Sequence, residues 1–188
     1  QRRPTAKATY IIHDEKYSGW IFDPTHPTQG RRFPKALELT SDLFKSKDIP
    51  LTQIAPRPAT LEELCRVHDP VYVEEVIQNH ISGEWSGKRP DLAELAALFA
   101  GGTLHALELL LKDECKTAIH FPGAKHHAQY DHSSGFCVFA DFALAAEIAT
   151  KDHGKKVAIL DIDAHHGDGT ENLTAANPNV LTFSIHQY

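Results

Sequence analysis

The chain has 188 residues, 41% of them apolar and 23% charged, proportions that support a globular protein with its own core. A formal net charge of −6, with basic residues scattered in short pairs such as Arg31-Arg32 and Lys155-Lys156, argues against direct nucleic-acid binding or a coat on an anionic membrane. Three widely spaced cysteines, Cys65, Cys115 and Cys137, argue against a disulfide framework or a thiolate zinc knuckle and suit a reducing, cytoplasmic setting. No apolar run is expected to approach the ~20 residues of a membrane span. The polar opening from Gln1 to Ala8 is not read as a secretory signal. A chain without methionine that opens on Gln1 is expected to be processed or part of a longer protein.

In chain order, Tyr10 to His13 reads as a short buried strand, and Phe33 to Phe44 carries Leu37, Leu39, Leu43 and Phe44 at roughly helical spacing. Leu51 to Ala55 is a second strand, closed by Pro56 and Pro58. Thr60-Leu61-Glu62-Glu63 has the form of a capping box opening a short helix to Val67. Pro70 starts another helix with Val73, Val76 and Ile77, and Asn79 to Pro90 reads as a loop. Asp91 is expected to cap a long helix to about Lys112, interrupted by Gly101-Gly102 for close packing. Thr117 to Phe121, Val157 to Leu160 and Val180 to Ile185 read as strands, with an alanine-rich helix from Asp141 to Thr150. Strands alternating with helices, and apolar along their whole length, predict an α/β fold: a mainly parallel sheet between two helical layers, with the ligand site off the carboxyl ends of the strands. Residues 1–188 read as a single domain with no internal repeat or linker.

The densest chemistry is Asp161-Ile162-Asp163-Ala164-His165-His166-Gly167-Asp168, five ionisable side chains in eight positions at the end of an apolar strand. In extended chain, residues two apart point the same way, so Asp163 and His165 can face one metal ion. An oxygen and a nitrogen donor without thiolate suit a catalytic Zn²⁺ or Fe²⁺. Gly167 and Gly169 are expected to turn the backbone sharply. The alternative, a capped turn with solvated polar residues, is the weaker reading. A second cluster is Pro122-Gly123-Ala124-Lys125-His126-His127, then Gly135-Phe136-Cys137. Two adjacent histidines can act as base and electrophile when a carboxylate sets each tautomer, and Asp161 and Asp168 are the natural partners. Lys125 is expected to face solvent, and Cys137 to be a small buried residue rather than a nucleophile.

The His126-His127 pair, the Gly135-Phe136-Cys137 triplet, the run Asp161 to Gly169 and Ser184-Ile185-His186 together resemble the core motifs of the histone deacetylase family. So do His13-Asp14-x-x-Tyr17, His26-Pro27 and Val67-His68-Asp69-Pro70. That family includes bacterial acetylpolyamine amidohydrolases and acetoin-utilisation proteins, on an arginase-like α/β fold. The resemblance implies Asp163 and His165 as two of three zinc ligands, a His126–Asp161 pair, and His127 as a general base partnered by Asp168. It implies Phe136, with Gly135, as one wall of a substrate tunnel. A structural K⁺ site would comprise Asp161, Asp163, the His165 carbonyl, Ser184 and the Ile185 carbonyl. The implied substrate is an acetylated lysine or acetylpolyamine, and self-association is compatible with it.

Three features depart from the family pattern. The third zinc ligand, the oxyanion tyrosine and the second tunnel wall match nothing here, so the C-terminal part is expected to be lacking. Ala140 stands where the family often has Asn. Ser86 lies near a loop position where many members carry Asp. Two other readings compete. An arginase-like ureohydrolase needs a second-metal carboxylate where Gly167 stands. A non-catalytic scaffold would bind acylated ligands without turnover.

Overall fold

The computed structural model describes residues 8–187. Strand β1 (Thr9–Ile12) lies between β2 (Leu51–Ile54) and β3 (Thr117–Ile119), parallel to both, with Thr9 opposite Leu51 on one side and Thr117 on the other. Strands β4 (Val157–Asp161) and β5 (Val180–Ser184) form a second parallel pair, in register from Val157↔Val180 to Asp161↔Ser184. Every strand pairing is parallel and helices connect the strands, as expected for the α/β class. The expected single sheet occurs here as two pieces, three strands and two.

The sheets differ in cover. Ile12 packs with Ala106, Leu109 and Cys115, so β1 is buried. On the β4–β5 pair Ile159 is buried, but Leu160, Leu181 and Phe183 are 64%, 65% and 56% exposed. Continuous apolar strands led to the expectation of cover on both faces; among the described residues one face of this pair is open.

Six α-helices lie among the described residues: α1 (Arg32–Ser46), α2 (Leu61–Leu64), α3 (Pro70–Ile77), α4 (Pro90–Leu111), α5 (Asp141–Lys151) and α6 (Asp168–Thr174). The Thr60–Glu63 capping box forms in both directions, with Glu63 N donating to Thr60 Oγ1 and Thr60 N to Glu63 Oε2, but α2 ends at Leu64 rather than Val67. In α1 the predicted stripe is incomplete, since Leu39 and Leu43 are exposed and Phe33 is the buried residue. Asp91 does not cap α4; Pro90 is its first residue and Asp91 ion-pairs with Arg89. Gly101-Gly102 does not break that helix. A Cβ on Gly101 would meet the backbone of Arg57 and Pro58, and one on Gly102 the His120 ring, so the pair serves close approach. Contrary to the sequence expectation, α4 is long and apolar enough to cross a membrane by length and composition. Its apolar residues are largely buried by the rest of the fold, in a core built on Trp20, Phe33, Phe99 and Phe139.

Two buried histidines are held neutral. His68 Nδ1 donates to the Gln129 carbonyl while Nε2 accepts from Ala140 N, an arrangement a charged ring cannot keep. Burial lowers its pKa to about 4. His120 Nε2 accepts from the Tyr17 hydroxyl, its Nδ1–H donates to Thr103 Oγ1, and Thr103 donates to Asp141. Burial, with Lys125 and His13 adding, lowers its pKa to about 3. Both rings take up protons only in the unfolded chain between pH ~6.5 and ~4. Stability is therefore fully present above pH ~6.5 and lost as pH falls, by up to about 1.4 kcal/mol per pH unit for each histidine. Asp141, raised by burial, works in the opposite direction from the ordinary Asp range upward. Urea unfolding at pH 7.0 and 5.5 checks this; equal midpoints would contradict it.

Candidate active site

Past β4 the chain curls on its own carboxylates. Asp163 N donates to Asp161 Oδ1 (3.0 Å), and His165 N donates to Asp163 Oδ1 (2.8 Å). The segment after Asp161 is bent, not extended, so Asp163 and His165 converge through this turn rather than through strand alternation. Asp163 Oδ1 and His165 Nδ1 come to 3.2 Å. The His165 N–H holds the Asp163 carboxyl below the usual range against a burial penalty, with His126 and His165 reinforcing it.

The histidine pair enters from the loop after β3. His126 Nδ1 lies 2.6 Å from Asp161 Oδ2, and His127 Nδ1 lies 2.7 Å from Asp168 Oδ1. Ionised carboxylates only accept, so each Nδ1 carries the proton and each Nε2 offers a lone pair. The two rings are 4.0 Å apart, and His126 Nε2 is 3.8 Å from Asp163 Oδ1. Gln129 Nε2 donates to the other oxygen of Asp168 (3.0 Å). Burial pushes the Asp168 carboxyl up, but hydrogen bonds from His127 and the Gly169 N–H, with the His127 charge, leave it lowered overall.

Glycine is required here mainly by crowding. A Cβ on Gly167 would meet Asp161 Oδ2 and one on Gly169 the backbone of His126 to Ala128, whereas the φ of Gly167 is −76°. The sharp turn expected of Gly167 is thus a close approach. Gly135 is needed twice over: its φ is +52°, and a Cβ would strike the His127 ring.

These elements enclose a cleft of about 510 Å³, lined among others by Thr28, Lys125, His127, Phe136, Asp163 and His165. Phe136 stands at its rim with a φ of +66°, unusual for an aromatic residue, and its N–H is held by Glu84 (2.9 Å). In the loop that carries exposed Ser86, Glu84 is thus the acid tied to the rim. His26 packs edge-on against Phe136 at 4.5 Å. Cys137 is buried, its thiol pushed up to about 11 by burial, with Lys125 opposing.

Two residues behind the cleft differ from the sequence reading. Lys125, expected in solvent, is turned inward and 9% exposed. Asp141, read only as the start of a helix, is fully buried. It accepts from the backbone N–H of Ala124 (3.0 Å) and Lys125 (2.7 Å) and from Thr103 Oγ1 (2.6 Å). It thereby anchors the loop that presents His126 and His127. The sequence signal that could have found it is Val138-Phe139-Ala140-Asp141, an acid directly after an apolar run.

The donors present fit two corners of a zinc site. Ligands at neighbouring corners of a tetrahedron with bonds of about 2.0–2.1 Å lie about 3.3 Å apart, close to the 3.2 Å between Asp163 Oδ1 and His165 Nδ1. Among the described residues no group of three His, Cys, Asp or Glu side chains is placed to hold a metal. Of the residues assigned to a K⁺ site, Asp161 and Ser184 are cross-strand partners, and Ile185 N donates to the Asp161 carbonyl (2.9 Å). Ser184 Oγ is hydrogen-bonded to His186 Nδ1 (2.8 Å).

Comparison with known proteins shows the family. The family model described as Histone deacetylase domain matches residues 23–188. The chain is 31% identical to the acetoin utilization protein AcuC of Staphylococcus aureus (strain MRSA252), over 95% of this chain and 49% of that protein. It is likewise 31% identical to the AcuC of Bacillus subtilis (strain 168), over 94% and 49%. A protein of Archaeoglobus fulgidus named "Probable deacetylase" is 32% identical over 95% of this chain and 51% of its own length. The chain thus spans about half the length of the curated relatives it matches.

Proposed function

Because this chain belongs to the histone deacetylase family, we propose that its cleft serves the hydrolysis of N-acyl amides, with acetylated lysine or acetylated polyamine as substrate. The observation that carries the reading is the pair of His–Asp couples, 2.6 and 2.7 Å long with rings 4.0 Å apart, beside Asp163 and His165. Asp163 and His165 would hold Zn²⁺, or Fe²⁺, which accepts the same donors. Bound there, the metal supplies Lewis acidity toward an amide carbonyl and a water.

The chain's own residues account for the proton movements. His127 takes the proton of the attacking water at Nε2, because Asp168 occupies Nδ1 and stabilises the imidazolium that forms. His126, fixed by Asp161, presents its Nε2 toward Asp163. Hydrolysis breaks the C–N bond; the amine leaves protonated, and the acyl group is set free as its carboxylate. Phe136 and Gly135 form a wall for the acyl-amine chain. A structural K⁺ is assigned to Asp161, Asp163, the His165 carbonyl, Ser184 and the Ile185 carbonyl.

A second reading, an acyl-ligand scaffold without turnover, draws support from the lack of a third metal donor among the described residues. Acetate release from an acetyl-lysine peptide and from an acetylated polyamine, with zinc supplied, separates the two. His127→Ala is expected to lower turnover at least ~100-fold while leaving zinc content unchanged. Zinc and substrate bound without acetate release would favour the scaffold.

A further inference from the structure

The aromatic wall of the cleft is built on an unfavourable turn. Ser134 and Cys137 exchange backbone hydrogen bonds, Ser134 N donating to the Cys137 carbonyl (3.1 Å) and Cys137 N to that of Ser134 (2.8 Å). The two residues between them, Gly135 and Phe136, have φ of +52° and +66°. Positive φ at both central residues is the form of a type I′ hairpin turn, which Asn-Gly and Gly-Gly adopt readily and a bulky aromatic does not. The turn uses the N–H groups of Ser134 and Cys137 and leaves that of Phe136 to an outside acceptor. Glu84 Oε2 is that acceptor, at 2.9 Å and 52 residues earlier in the chain.

The loop that carries Glu84 is itself tied down. Trp85 is buried, its Nε1–H donates to the His80 carbonyl (3.0 Å), and Arg89 N donates to the same oxygen (2.9 Å). The Ser82 and Ser133 hydroxyls meet at 2.8 Å, two residues before Gly135. The Arg89 guanidinium donates to the carbonyls of Ile21 (3.0 Å) and Phe22 (3.1 Å). Those residues open the segment that packs on the Phe136 side chain, with the His26 and Phe22 rings 4.5 and 6.3 Å from its ring. One loop thus holds the Phe136 backbone directly and, through Arg89, the neighbours of its side chain. The ring is 42% exposed and sits on dihedrals it disfavours, so its position depends on this outside support.

We propose that Glu84 is a positioning residue for the cleft: its carboxylate holds Phe136 in the left-handed turn and so sets the width of the mouth through which an acyl-amine chain enters. Gly135 stands against the His127 ring with no room for a Cβ, so the same turn bounds the space beside that imidazole. Glu84 acts through Phe136 and does not grip the ligand. The consequence for substrate rests on the reading that the cleft takes N-acyl amines; the hold on Phe136 does not.

Amide NMR on the full 188-residue chain, without ligand, gives the first readout. In Glu84→Ala the Phe136 amide is expected to exchange with solvent at least about tenfold faster. Its strong intraresidue NOE between HN and Hα, the mark of a positive φ, is expected to weaken. Glu84→Gln keeps a carbonyl acceptor and should recover most of both signals, which loss of fold stability alone would not. The second readout is the Kd of Nε-acetyl-lysine blocked at both ends, followed at the Gly135 amide. Glu84→Ala is expected to raise it about fivefold, because the wall must be ordered on binding. Added to Phe136→Ala, the same change should leave Kd within about twofold, because the two residues act as one unit. Unchanged Phe136 exchange in Glu84→Ala, an unchanged Kd, or a loss that adds to that of Phe136→Ala would overturn the proposal, the last by showing that the carboxylate meets the ligand itself. A cleft that binds no acetyl-lysine would count against the acyl-amine reading alone, since the Phe136 signals are read without ligand.

Discussion

His165→Ala is expected to lower zinc affinity at least ~100-fold, more than loss of an outer residue that only orients a ligand. The side chain is largely exposed, and its Nδ1 stands 3.2 Å from Asp163 Oδ1. Removing it leaves one of the two donors that converge there. The loss should be specific, because an exposed ring contributes little packing. Thermal midpoints of the metal-free wild type and variant are expected to agree within about 2 °C, a shift that corresponds to about 0.5–1 kcal/mol for a chain of this size. Competition against a chelator of known affinity gives the zinc constant, with His153→Ala, an exposed histidine elsewhere, as control. Equal zinc affinity in wild type and His165→Ala would remove Asp163 and His165 from the metal site.

Asp141→Ala is expected to act on stability instead. The carboxylate accepts three hydrogen bonds at a fully buried position, two of them from backbone N–H groups in the loop that carries the histidine pair. Its removal strands those donors, at about 1–3 kcal/mol for each group left unsatisfied. It also removes one of the charges that favour the protonated form of Lys125, whose pKa burial lowers. A loss of at least about 3 kcal/mol follows from the three donors, read as a lower urea midpoint at unchanged slope. Asp141→Asn keeps one carbonyl acceptor and should lose less. A change below about 1 kcal/mol in Asp141→Ala would show that water or a local shift satisfies the loop.

The local chemistry was legible because it depends on neighbours in sequence. The Thr60 capping box, the Pro70 helix start and the strand ends, read at Leu160 and Ile185 and found one residue away at Asp161 and Ser184, each follow from a few adjacent residues. Convergence of Asp163 and His165 was also legible, but for the wrong geometric reason: backbone N–H bonds to the Asp161 and Asp163 side chains bend the chain where an extended strand was expected. Gly101-Gly102 was correctly tied to packing, yet the helix continues through both, because a tight neighbour excludes a Cβ without breaking the backbone hydrogen bonds.

Lys125 marks the limit of such reasoning. A lysine beside two histidines is ordinarily solvated, and nothing local says otherwise. Its inward turn depends on Trp20 and Phe99, which are distant in sequence and meet it only after the core assembles. The Tyr17–His120–Thr103–Asp141 chain has the same character, since its members come from four separate segments. Residue order and type determined the α/β class, the order of strands and helices, and the two His- and Asp-rich loops, because hydrophobic periodicity and turn chemistry act over a few residues. Tertiary structure alone decided which carboxylate meets which imidazole, which charges are buried and which apolar strand faces stay open, because those depend on long-range packing and the desolvation it imposes.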